Sequence, residues 1–178
     1  MKIGIVTWNS GERHKLFMEQ AYPEMETTIV ADSASDEEKI EACRDVEAII
    51  MVAASISVNV LKSCPEVKLL QGIGAGFDKV DVKAINALGI PYANNGGSNA
   101  IPVAEFTLSL ITGIARGVFR GVQNAKEGNW NSGLREIPSW EITGKCIGII
   151  GMGAIGQRVA KMLVGYDCDT VYYKRHRL

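Results

Sequence analysis

Between Cys146 and Ile150 the chain runs through apolar or small residues without alternation, then passes directly into Gly151-Met-Gly153-Ala-Ile-Gly156. The first segment has the pattern of a strand buried on both faces in a parallel sheet. Of the three glycines, the first permits a tight turn and the second lets backbone approach a pyrophosphate. The third lets the following helix pack close to the strand, and the free N–H groups of that helix face the anion. Residues 157–165 continue with helical periodicity and residues 170–173 read as a second strand. This order is the first βαβ part of a dinucleotide-binding fold. A glycine-rich turn also serves purely structural ends, but its place between strand and helix, with a charged cluster at the expected distance, favours the dinucleotide reading.

The end of the second strand normally decides the cofactor. An acid about 20 residues past the glycines would bond the ribose 2′-OH of NAD. Here the position holds Lys174, followed by Arg175, His176 and Arg177. Cations pair with a 2′-phosphate that a carboxylate would repel, so NADP is favoured over NAD. The alternative is a solvated basic tail.

Composition sets the outer bounds. A chain of 178 residues, 47% hydrophobic, can bury a core as one large or two small domains. A net charge of −1 gives no sign of a nucleic-acid partner, and no apolar run reaches the length of a membrane span. The start, Met1-Lys-Ile-Gly-Ile-Val, lacks a signal-peptide layout, which makes the cytoplasm the expected location. Cys43, Cys64, Cys146 and Cys168 show no metal-ligand spacing and read as buried reduced thiols. With only His14 and His176 as histidines, no metal site is expected.

From the N-terminus, short apolar runs alternate with helical patterns: strands at 3–7, 27–31, 48–53, 68–73 and 90–93, helices at 13–21, 36–43, 58–63 and 82–88. Such alternation predicts a parallel α/β sheet whose ligands sit at the carboxyl ends of the strands. Three loops fall there, at 53–57, 72–78 and 94–99. The second, Gly72-Ile-Gly-Ala-Gly-Phe-Asp78, can expose backbone N–H groups as an anion nest for a small carboxylate, or serve as a tight turn. Asp78 and Asp81 read first as capping acids. A long helical pattern follows from 101 to about 126, with Pro102 in its first turn. It is apolar nearly all round, which predicts burial between layers or at a subunit contact and marks a domain boundary. Glu105 is placed to favour the helix dipole as much as to act on a ligand. Residues 128–144 form a long loop carrying Trp130, Trp140, Arg135, Glu136 and Glu141, of the kind that serves function or an interface.

Taken together, Leu69-Leu-Gln-Gly-Ile-Gly-Ala-Gly-Phe-Asp-Lys-Val-Asp81, Gly89-Ile-Pro-Tyr-Ala-Asn94, Ser98-Asn-Ala-Ile-Pro-Val-Ala-Glu-Phe-Thr-Leu108, Gly128-Asn-Trp130 and the 144–156 glycine segment resemble the D-isomer-specific 2-hydroxyacid dehydrogenases. The resemblance implies an oxidoreductase that moves a hydride between a nicotinamide cofactor and C2 of a small 2-keto or 2-hydroxy acid. It implies a flavodoxin-like parallel-sheet substrate domain over residues 1–100, then the first βαβ part of a Rossmann cofactor domain over residues 101–178. The amides of Ala75 and Gly76 match the family's loop for the substrate carboxylate, and Ser98 and Asn99 its cleft mouth. Val103 matches the helix start beside the nicotinamide. Gly151, Met152, Gly153 and Gly156 match the pyrophosphate loop, with Ala154 and Ile155 adding helix-start N–H groups. A homodimer through the cofactor domain is implied as well.

Two departures qualify the likeness. Lys174 and Arg175 replace the usual acid, as in members that use NADP. The family's catalytic Arg, Glu and His fall past Leu178, so no catalytic residue is assigned; neither His14 nor His176 matches, and the 178 residues alone are expected to be inactive. The return helix of the first domain and strands 4 to 6 of the second lie past that point too, leaving residues 146–150 with an expected unpaired edge. A non-catalytic shortened product and a cofactor-sensing regulatory module stand as alternatives. Residues 53–57 hold no Arg or Lys, which leans toward glyoxylate, hydroxypyruvate or pyruvate-like acids.

Overall fold

A computed structural model describes residues 1–129 and 138–176. It divides into two compact units, Met1–Gly96 and Gly97–Leu178. The first alternates β1 (Lys2–Thr7), α1 (Glu12–Ala21), β2 (Glu26–Ala31), α2 (Asp36–Cys43), β3 (Ala48–Val52), α3 (Val58–Lys62), β4 (Leu69–Gly72), α4 (Val82–Ala87) and β5 (Tyr92–Ala93). The five strands form one parallel sheet in the order β2-β1-β3-β4-β5, the flavodoxin-like order. In β1 successive side chains serve opposite faces. Ile3 and Ile5 join Met18 and Val52 on one, while Val6 joins Val46, Ile49, Val60, Leu70 and Ile85 on the other. Burial of each such side chain contributes about 1.5–3 kcal/mol.

The helices of this unit begin where their caps dictate. Ser35 and Glu38 form a reciprocal capping box on α2. Ser57 accepts from the Val60 N–H at α3, and Asp81 from the Ala84 N–H at 3.0 Å, which bears out Asp81 as a capping acid. β5 is shorter than the 90–93 span expected.

The second unit holds α5 (Ala100–Ala115), α6 (Val118–Lys126), β6 (Cys146–Ile150), α7 (Ala154–Leu163), a 3₁₀ turn (Val164–Tyr166) and β7 (Asp169–Tyr173). Three expectations need correction here. The single helix over 101–126 is broken: Gly117 adopts a left-handed φ of 61°, and α6 leaves α5 at 67°. Nor is that helix buried between layers within this chain, the first of the two alternatives expected for it. Ala104, Gly113 and Ala115 are buried, whereas Phe106, Ile114 and Phe119 are exposed. Finally, β6 is not buried on both faces; it pairs in parallel only with β7 among the described residues, and Ile150 is 91% exposed. Without layers on both sides, its apolar sequence does not secure burial.

The core of this unit gathers Ala104, Ala115, Ile142, Val159, Leu163 and Cys168, whose Sγ donates to the Ile142 carbonyl at 3.1 Å. Cys43, Cys64 and Cys168 are buried as expected, but Cys146 is exposed, because it opens a strand with an uncovered face. In the 128–144 segment Trp140 and Glu141 are exposed, and the Trp140 N–H bonds the Ala115 carbonyl; Trp130, Arg135 and Glu136 lie outside the described residues.

Candidate active site

In the first unit the carboxyl ends of β3, β4 and β5 border an open cavity of about 320 Å³. Its walls are Met51, Ala53 and Ala54 from the β3 end, Gly72, Gly74 and Gly76 to Val80 from the β4 loop, and Tyr92 of β5; Ala75 adjoins this lining without forming part of it. The Ile73 N–H still continues the ladder to Met51. Beyond it the chain leaves the sheet, and two carbonyls of the loop are tied down: Asn94 Nδ2 donates to Ala75 O at 2.7 Å and the Asn95 N–H to Gly74 O at 3.1 Å. Among the described residues, the amides of Ala75 and Gly76 donate to no protein group. The amides of Gly74, Phe77, Asp78 and Lys79 are equally unengaged, so the whole loop offers backbone donors to an anion, Ala75 and Gly76 among them.

The glycines act here by giving room, not by left-handed twist. None of Gly72, Gly74 and Gly76 has a positive φ, so exposure of the loop's amides does not depend on left-handed glycines. A Cβ at Gly72 would stand 2.5 Å from the Tyr92 hydroxyl, whereas at Gly74 and Gly76 the nearest atoms would be 4.0 and 3.7 Å away. The first glycine accommodates a side chain; the other two leave the loop open.

The β3 end is held by a different device. Ala53 takes a left-handed φ of 48°, an uncommon conformation for a residue with a Cβ. Two residues on, the Asp32 carboxylate accepts from the Ser55 N–H at 2.8 Å and its hydroxyl at 3.2 Å. Lys39, only 7% exposed, donates to the Asp32 carbonyl at 2.6 Å and places its ammonium 4.0 Å from the same carboxylate. This strut braces one wall of the cavity. Tyr92, Phe77 and Lys79 at the cavity, and Asp32 and Lys39 behind it, are not singled out by the sequence. For Tyr92 the available signal is position alone, at the carboxyl end of a strand.

In the second unit, Gly151 carries a φ of 97° and its N–H bonds the Tyr173 carbonyl at 2.9 Å, extending the β6–β7 ladder by one residue. Gly153 caps α7. A Cβ at Gly156 would run into the Gly151 carbonyl oxygen and come within 3.3 Å of Ile149, so the third glycine does set helix-to-strand packing. Ala154 and Ile155 open α7 and present first-turn N–H groups. Met152 is buried, its carbonyl receiving a 3.4 Å bond from Gln157. The loop before α5 comes close to this turn: a Cβ at Gly97 would lie 3.9 Å from that of Ala154, and α5 packs on α7. Ser98, Asn99 and Val103 are thereby grouped with the Gly151–Gly156 loop, while Ala75 and Gly76 belong to the other unit. Lys174, half-buried, follows β7 next to the Gly151 contact; Arg175 and His176 beyond it are exposed, and none of the three has an ion pair among the described residues.

Neither histidine joins these sites. His14 lies on α1 with its Nδ1 buried and unpartnered, and His176 is exposed after β7. Among the described residues no group of three metal-binding side chains occurs. Burial pushes the Tyr92 phenol above its usual value, keeping it a neutral donor.

A flavodoxin-order sheet with a free-amide loop at its carboxyl edge, followed by a βαβ unit with a glycine-rich turn, defines a two-unit α/β protein of the dehydrogenase type. Residues 6–172 match the family described as D-isomer specific 2-hydroxyacid dehydrogenase, catalytic domain, and the chain belongs to that family. It is 30% identical over 147 residues to a glyoxylate reductase of Pyrococcus furiosus, covering 79% of this chain and 44% of that protein. It is 27% identical over 149 residues to a hydroxypyruvate reductase of Thermotoga maritima, covering 83% and 48%. A Staphylococcus aureus NAD-dependent formate dehydrogenase, solved in complex with NAD, superposes with a TM-score of 0.72 at 25% identity, over 98% of this chain and 55% of that one. The chain thus spans about half the length of the relatives it matches.

Proposed function

We propose that the protein is a nicotinamide-dependent oxidoreductase acting on C2 of a small 2-oxo or 2-hydroxy acid, with the first unit binding the acid and the second the cofactor. The observation that carries this reading is the set of unengaged loop amides, Ala75 and Gly76 among them, beside an open cavity at the carboxyl ends of the strands. They would hold the acid's carboxylate by charge-assisted bonds. In the second unit the Ala154 and Ile155 N–H groups would receive the pyrophosphate, and Gly153, with no atom within 4 Å of an added Cβ, leaves the approach clear. When bound, the nicotinamide supplies the hydride; the chain's residues bind and orient. The family's catalytic Arg, Glu and His have no counterpart in these residues, so this stretch on its own is proposed to bind without turnover. The exposed apolar face of α5 and α6 supports a homodimer through the second unit.

NADP(H) is the proposed cofactor, supported by Lys174 and Arg175 standing where an acid would repel a 2′-phosphate. Calorimetric titration should give NADPH tighter binding than NADH. Lys174→Asp should cost NADPH roughly tenfold to a hundredfold, the worth of one hydrogen bond to a charged group, with NADH little changed. Tighter NADH binding by the native chain would sink the NADP assignment, and no binding of either would sink the cofactor site itself.

A further inference from the structure

The Tyr92 hydroxyl is the one feature of the first-unit cavity that neither carboxylate binding nor packing accounts for. Tyr92 lines the cavity, and its ring reaches across to β4, where the hydroxyl fits against residue 72 only because that residue is glycine. Yet the hydroxyl bonds no protein group among the described residues, and it is absent from the fully buried polar atoms left unpartnered, so solvent or a ligand reaches it. Apolar Met51, Ala53, Ala54, Phe77 and Val80 share this wall with three glycines and the exposed Asp78 and Lys79, and the hydroxyl is its uncharged side-chain donor. Such a group distinguishes ligands that carry an oxygen opposite it from those that carry hydrogen, because a missing partner leaves it desolvated and unpaired.

Resting on the reading above that Ala75 and Gly76 hold the acid's carboxylate, we propose that Tyr92 is a specificity-determining residue that hydrogen-bonds an oxygen on C3, so that the site prefers 3-hydroxylated 2-oxo acids over their 3-deoxy counterparts. The charged groups at the cavity, Asp78 and Lys79, are both exposed and adjacent in sequence, and they leave no net charge to select a second acidic group. An uncharged polar substituent is what the wall matches.

The test is a titration of the chain with hydroxypyruvate and with pyruvate, followed through the backbone amide NMR signals of Ala75 and Gly76. Hydroxypyruvate should bind roughly threefold to tenfold tighter, the range of one neutral hydrogen bond. Tyr92→Phe should erase that preference by weakening hydroxypyruvate while leaving pyruvate unchanged. Gly72→Ala, which displaces the hydroxyl without removing it, should do the same. Equal loss of both acids in Tyr92→Phe would mean a merely structural role and overturn the proposal, as would the absence of any preference in the native chain. If neither acid moves the Ala75 and Gly76 signals, the carboxylate assignment fails, a result distinct from failure of the Tyr92 proposal.

Discussion

β1 and β6 read alike in sequence, Lys-Ile-Gly-Ile-Val-Thr against Cys-Ile-Gly-Ile-Ile, and their environments are opposite. In β1, strands pair on both edges and helices cover both faces, so Ile5 is 2% exposed and Val6 is fully buried. In β6, one edge alone is paired, all of β7 is exposed, and Ile150 stands 91% open. An apolar run therefore states what a strand requires of its neighbours, and only the neighbours decide whether the requirement is met.

The largest effect that would sharpen this contrast comes from deleting equivalent bulk in the two units. Leu70 is fully buried in the first sheet, so Leu70→Ala should destabilise by about 2–5 kcal/mol, lost transfer energy plus cavity. Ile150→Ala removes a side chain that touches mostly water, and should stay within about 0.5 kcal/mol. Denaturant unfolding of both variants decides it; comparable losses would show that β6 is covered in solution.

A smaller effect separates packing from binding inside the second unit. Gly156→Ala drives a methyl into the Gly151 carbonyl, and should cost about 1–3 kcal/mol as overpacking. Gly153→Ala meets no atom within 4 Å, so its stability cost should stay below about 1 kcal/mol. Its methyl nonetheless stands where a pyrophosphate would approach. Thermal melts paired with NADPH titration should therefore find Gly156→Ala the less stable and Gly153→Ala the fold-competent non-binder. Full cofactor affinity in Gly153→Ala would contradict the assigned loop.

What the sequence made legible follows from how local each signal is. Asp81 could be read as a cap and Gly156 as a close-approach glycine because both depend on residues within a few positions. The strand–helix alternation of residues 1–96 was readable for the same reason: each element is periodic over its own length. The left-handed Gly117 that breaks α5 from α6 left no trace in an apolar pattern running straight through it. Exposure of Cys146 and Ile150 depends on which elements flank β6, a non-local fact. The Lys39–Asp32–Ser55 strut joins residues 23 positions apart across two strand ends, and the Tyr92–Gly72 fit joins neighbouring strands. Spacing along the chain announces neither.

The smallest intrinsic effect is expected on the exposed face of the second unit, where it discriminates most. Phe106 on α5 is 65% exposed and, with Leu110, Val118 and Phe119, lines a shallow groove where α5 meets α6. Phe106→Lys removes little buried area, so the melting of a monomer should shift by no more than about 0.5 kcal/mol. If this face joins two copies, the same change places an unpaired charge in an apolar contact, and sedimentation should show a dimer in the native chain and a monomer in the variant. A native chain that sediments as a monomer at high concentration would remove the homodimer. The contrast between the two units would then be an intrinsic difference in how completely each buries its own apolar surface.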